Sequence, residues 1–201
     1  IYGANRKFYP IIQQLKDTEK QPFLFFIFDD DLLYPNIIVE KMIESYIKYY
    51  NNDCIFGLGV HGLYYKDNKI ISCKKDKYAY YPNQKRMDLW VNTGNGVLIP
   101  YEIINNYNYS KLDYYIKKYY KKLFADEIYL AIFLKTNNIP ILTIDSKINH
   151  GREPIGIKRG VKYEMYDKKQ ELSLSGTSNY DKKWANWFDI EEIRNDFNIN
   201  L

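Results

Sequence analysis

Cysteine, histidine and long apolar runs are scarce or missing in this 201-residue chain, and each shortage excludes something. Two cysteines, Cys54 and Cys73, cannot build a disulfide-dense scaffold. No histidine lies near them at the spacing of a zinc site. Free thiols in a reducing compartment are expected, with a single disulfide as the alternative. A bilayer span needs about 20 consecutive apolar residues. The longest run, Pro22 to Phe28, is strand-sized, so no transmembrane segment is expected. Charge of one sign is also lacking: 29 Lys+Arg against 25 Asp+Glu leave a net charge of +4. Both signs are interspersed, with no compact basic stripe, so no nucleic-acid partner is expected. Neither a phosphate-cradling P-loop nor a G-x-S-x-G elbow occurs, which counts against a P-loop phosphotransferase or a serine hydrolase. No internal repeat is visible.

What remains is the composition of an ordinary globular protein, 46% hydrophobic and 27% charged. The length suits one domain, or one domain plus a short appendage. The 22 tyrosines fit the coding bias of an AT-rich genome better than a functional signal. Phe23 to Phe28 is a continuous apolar run and predicts a strand buried on both faces, as in a parallel sheet. It stops at Asp29-Asp30-Asp31. Pro35 then suits a first helical turn, and Ile37, Ile38, Met42, Ile43, Tyr46 and Ile47 recur at helical spacing.

Cys54 to Val60 predicts a second strand, with Gly57 and Gly59 permitting close backbone approach. His61-Gly62 reads as a structural bend. Leu63 to Tyr65 and Lys69 to Cys73 predict a hairpin across Asp67-Asn68. Lys74 to Arg86 reads as a surface loop. Asp88–Asn92 and Gly96–Ile99 are strand candidates around Thr93-Gly94-Asn95-Gly96. Helices are expected over Tyr101–Tyr107, Leu112–Leu123 and Ala125–Asn137, and a strand over Ile139–Ile144. Gly151 to Gly160 reads as a loop, Leu172 to Asn179 as a Ser-rich stretch, and Trp184 to Phe197 as a final amphipathic helix. Alternating strands and helices argue an α/β fold, in which ligands sit at the carboxyl ends of the strands.

The aspartate triplet occupies that place on the most apolar strand. Carboxylates at i and i+2 of an extended segment point the same way. Asp29 and Asp31 can thus converge on one hard divalent cation, Mn²⁺ or Mg²⁺, which favours oxygen ligands. The alternative is capping of the following helix. Capping needs one aspartate, however, and three adjacent carboxylates repel one another unless a cation neutralises them.

Asp29-Asp30-Asp31-Leu32-Leu33-Tyr34-Pro35 resembles the DDDxxYP form of the DxD motif in a group of GT-A type, family 2-like glycosyltransferases. Tyr2-Gly3-Ala4-Asn5-Arg6-Lys7-Phe8 is similar to the YGPxxKL segment before it, with Ala4 in place of Pro. Thr93-Gly94-Asn95-Gly96-Val97 with Pro100 is similar to the TGxGxxxxP segment. Ala125-Asp126-Glu127-Ile128-Tyr129-Leu130-Ala131 resembles the (A/D)D(D/E)xxLA helix start. Asn138-Ile139-Pro140 resembles the GIP turn, with Asn for Gly. The resemblance covers Tyr2 to about Ile144.

The resemblance implies a GT-A mixed sheet flanked by helices, and inverting transfer of a sugar from a nucleotide-diphosphate donor to a hydroxyl on a glycan, lipid or protein. By this analogy Asp29 and Asp31 hold the metal, Asp30 reaches donor ribose or sugar, and Lys7 lies near the donor pocket. Asp126 is the candidate general base, with Glu127 as backup; the alternative for both is a first-turn acid complementing the helix dipole. Gly94, Asn95 and Gly96 offer backbone N–H groups to the donor sugar or acceptor, or form a plain turn. Trp90 stacks on a sugar or packs in the core. His150 is a further candidate metal ligand. Arg152, Lys158 and Arg159 form a basic segment able to close over a diphosphate, or are simply solvated.

In that family about a hundred residues of nucleotide-binding sequence precede the DxD strand. Here the aspartates begin at position 29 and the chain opens on Ile1. The expectation is therefore a transferase core over residues 1–150 that lacks its nucleotide-binding half, with residues 151–201 as a loop and helix packed on it. An exposed sheet edge then permits self-association. A cytoplasmic location is expected, as no signal-like run opens the chain. A non-catalytic carbohydrate- or nucleotide-binding remnant is the competing reading.

Overall fold

The computed structural model describes residues 8–16, 22–28, 32–34, 37–49, 53–58, 60–66, 69–72, 83–87, 89–91, 93–119, 126–144 and 158–159. Their architecture is α/β, built on a mixed five-stranded sheet flanked by helices. The strands are β1 (Leu24–Ile27), β3 (Ile55–Gly57), β6 (Lys85–Arg86), β8 (Val97–Pro100) and β9 (Ile141–Thr143). Their spatial order is β1-β8-β3-β9-β6. Only β3 and β9 pair parallel; the other neighbours are antiparallel, with Ile27 opposite Val97 and Gly57 opposite Thr143. It follows that β1, β3 and β9 run one way and finish at one edge of the sheet, where β8 and β6 begin.

Period-two alternation sends each strand into two cores. Ile27, Ile55, Val97, Ile99 and Ile141 join one cluster, which Phe23 and Phe25 flank. Phe56, Leu98 and Leu142 join the other, which Leu24, Phe26 and Phe28 flank. The first cluster holds residues of α1 (Tyr9–Lys16), α3 (Tyr101–Asn106), α4 (Ser110–Tyr119) and α5 (Asp126–Thr136). The second holds Ile38 and Met42 of α2 (Ile38–Tyr49). The result is three layers, with most helices on one face and α2 on the other.

Several expectations are refined. The Phe23–Phe28 run is packed on both faces, but as the antiparallel strand β1, at the end of the sheet among the described residues, and Leu24, Phe25 and Phe26 stay half-buried. Aromatic rings let an end strand cover two cores at once. The Cys54–Val60 strand divides into β3 and the start of β4 (Val60–Lys66). A second sheet, β5-β4-β7, adds β5 (Lys69–Ser72) and β7 (Leu89–Val91). The predicted hairpin is present, with Lys66 opposite Lys69 across a two-residue loop. His61 and Gly62 are strand residues, opposite Trp90 and Leu89, and form no bend. The end of the Lys74–Arg86 stretch is strand β6, because β9 offers it a free ladder. The remaining strands, β2 (Leu32–Leu33) and β10 (Lys158–Arg159), pair with each other.

α5 is apolar all round, and Tyr129 to Leu134 are buried without exception. Its end is a Schellman turn: Ile139 N–H donates to Leu134 C=O at 2.8 Å and Asn138 N–H to Lys135 C=O at 3.1 Å. Asn138 takes the left-handed position, φ 56°. Residues 137–140 then lead straight into β9.

Candidate functional site

The edge where β1, β3 and β9 finish gathers segments singled out in the sequence. β1 ends at Ile27, and Phe28 is followed directly by the aspartates. Tyr34 directly follows β2. Its hydroxyl donates to the Gly94 carbonyl at 2.6 Å, and its ring meets Phe28 edge-on at 4.7 Å. The two residues that bracket Asp29–Leu33 are thus tied together and to the Thr93–Gly96 segment.

Thr93–Asn95 is one 3-10 turn leading into β8. Thr93 is fully buried. Gly96 N–H closes the turn on Thr93 C=O at 3.2 Å, and Gly96 C=O accepts from Leu58 N–H at 3.1 Å. The amide of Gly96 therefore serves the turn itself. Gly96 has φ +110°, and an added Cβ would meet Leu58 Cδ1 at 2.9 Å and Phe28 Cε1 at 3.0 Å. Glycine is required there twice over, by conformation and by space. The segment is a packed support beneath the end of β1 as well as a connection between strands.

Neighbouring strands continue the edge. Ile144 N–H donates to Gly57 C=O at 3.0 Å and Asn83 N–H to Thr143 C=O at 2.8 Å. Thr143 is buried, and its hydroxyl finds no hydrogen-bond partner among the described residues. Sequence reasoning missed this residue; its signal was a polar position within the apolar Ile139–Ile144 run.

Asp126 is the first residue of α5, and Glu127 beside it is half-buried. Trp90 is in β7, opposite His61. Lys158 and Arg159 form β10 beside β2, opposite Leu33 and Leu32. Asp29, Asp30, Asp31, Lys7, His150 and Arg152 lie outside the described residues, as does the Trp184–Phe197 segment. Among the described residues no three His, Cys, Asp or Glu side chains converge as metal ligands, and no helix is long and apolar enough to cross a membrane. Cys54 is a buried free thiol, and burial pushes its pKa up to about 12, against the opposing pull of the Lys85 cation.

Comparison with models of protein families, with curated proteins and with solved structures finds no match.

Proposed function

We propose that this chain is the core of a metal-dependent glycosyltransferase with a GT-A type sheet, which moves a sugar from a nucleotide-diphosphate donor to a hydroxyl acceptor with inversion. The observation that carries this reading is the bond from Tyr34 to the Gly94 carbonyl. It joins two segments of the family resemblance, DDDxxYP and TGxG, that lie 60 residues apart. They meet at the edge where α/β folds bind ligands.

Asp29 and Asp31 are hard oxygen donors that suit Mn²⁺ or Mg²⁺, and Asp30 reaches the donor ribose or sugar. A cation bound there neutralises negative charge on the donor diphosphate. The carboxylate of Asp126 takes the proton of the acceptor hydroxyl, with Glu127 as the alternative base. The freed oxygen pair forms the new bond to the anomeric carbon from the far side. The bond from that carbon to the diphosphate oxygen breaks, and its electron pair leaves with the nucleotide. Lys7 and the amides of Gly94 and Asn95 contact the donor, and His150 is the third metal ligand.

The test is a thermal shift of the chain with Mn²⁺ and UDP or GDP, together with Asp31→Ala. Ligand at about a hundred times its Kd adds roughly 2.7 kcal/mol. In a domain of this size that raises the midpoint by about 5–10 °C. The expected rise needs both metal and one nucleotide, and disappears in Asp31→Ala. A rise seen only in an upstream-extended chain identifies a core without its donor half. No rise in either sinks the donor-binding assignment and leaves the non-catalytic remnant.

A further inference from the structure

Among the described residues α2 is the only helix of the second cluster, which it meets through Ile38, Met42, Tyr46 and Tyr49. Val39, Ile43 and Ile47 recur at every fourth position and form a second apolar row on another flank of the same helix. Val39 is 39% exposed and Ile47 75%, with Ile43 half-buried between them. One exposed isoleucine is ordinary, but a contiguous apolar row along a helix flank marks a contact surface. One residue further on, Glu40, Glu44 and Lys48 form the adjoining row, and all three are exposed. Lys41 pairs with Glu44 at 2.6 Å, and Lys48 lies over the Tyr49 ring at 5.0 Å. This polar row is acidic toward the start of α2 and basic at its end.

That order of charge selects both the partner and its direction. Laid parallel against a second copy, α2 sets Glu40 against the partner's Glu40 and Lys48 against the partner's Lys48. Laid antiparallel about a two-fold axis near Ile43, it sets Val39 level with the partner's Ile47 and Glu40 close to the partner's Lys48, and each contact occurs twice. Antiparallel helix dipoles also attract one another. We propose that the Val39–Ile43–Ile47 row is the contact face of a symmetric dimer of this chain, with α2 packed antiparallel on the same helix of a second copy. A helix of 12 residues is about 18 Å long, so the contact is small and the dimer weak, with a Kd on the order of 10–100 µM. Charge complementarity in the flanking row fixes the register, while the apolar row supplies the attraction.

The experiment is sedimentation equilibrium of the full chain at about 5–500 µM and low ionic strength. The parent is expected to pass from monomer to dimer over that range. Ile47→Gln changes an exposed position and keeps good helix propensity. It is expected to weaken the dimer about tenfold or more, because two apolar side chains lose their burial. Glu40→Lys and Lys48→Glu each turn both attractions into repulsions, and each is expected to weaken the dimer about tenfold at low salt. An equimolar mixture of those two variants restores every attraction, so a heterodimer of parental strength is expected. Melting midpoints within about 2 °C of the parent show that each variant is folded. A parent that stays monomeric throughout overturns the dimer. A dimer that Ile47→Gln leaves unchanged overturns the α2 face and assigns self-association to another surface, such as the sheet edge. Charge variants that dimerise like the parent, or that fail to recover on mixing, overturn the antiparallel arrangement.

Discussion

Single residues account for the sharpest constraints in this fold. Asn138 holds a left-handed conformation at the end of α5, where glycine is the usual residue. Its side chain is exposed, so removing it costs little packing. Asn138→Gly is expected to stabilise the protein by about 0.5 kcal/mol, read as a higher denaturant midpoint with unchanged slope. Cys54 gives a pH signature. Its thiol is fully buried and its pKa is raised to about 12. A raised folded-state pKa contributes stability below the unfolded value of about 9, and this is lost as pH climbs from 9 toward 12. Stability of the parent should therefore fall more steeply over that range than that of Cys54→Ala, in denaturation at a series of pH values. The need for glycine or asparagine at such points is legible in sequence, because the Asn138-Ile139-Pro140 turn announces itself. The burial of Cys54 is not, since a cysteine reads the same inside or outside.

At the scale of elements, period predicted type and neighbours decided extent. The helical spacing of Ile38, Met42 and Tyr46 became α2, and the apolar Ala125–Asn137 segment became α5. α1 was not expected, although Phe8, Ile12 and Leu15 carry an i, i+4, i+7 stripe. Its hydroxyl contact from Tyr9 to Asp113 joins it to α4, a pairing no local pattern announces. The Asn137 side chain similarly ties the end of α5 to the α3–α4 connection, donating to Asn108 C=O at 3.0 Å and accepting from Asn108 N–H at 3.2 Å. Gly57 marks where the two sheets meet: a Cβ there would lie 2.7 Å from Val91 Cγ2 and 3.1 Å from Val60 Cγ1. Gly57→Ala is expected to cost about 1–3 kcal/mol through overpacking, measured by chemical denaturation. Close approach at Gly57 was expected from its place in a strand; which residues approach it was not.

On the scale of the whole molecule, one edge of the sheet concentrates the features of interest. The end of β1, the Thr93–Gly96 turn and the end of β9 all lie on it. Removing the hydroxyl that joins two of these parts should therefore be felt in ligand binding as well as in stability. Tyr34→Phe is expected to lower the melting midpoint by about 2–5 °C, equivalent to roughly 1 kcal/mol for a lost hydrogen bond. It should also reduce the metal- and nucleotide-dependent rise, in the same thermal-shift assay that tests Asp31→Ala.

The α/β class, the two-residue hairpin and the ends of α5 follow from period, turn chemistry and capping, which act within a few residues. The sequence also presented the aspartate triplet and the Thr93–Gly96 segment as separate signals. Long-range pairing alone made the sheet mixed, set β1 at its end among the described residues, and brought Tyr34 to Gly94. Strand order and direction depend on pairings between residues far apart in the chain, and local preference carries no information about which distant strand completes a ladder.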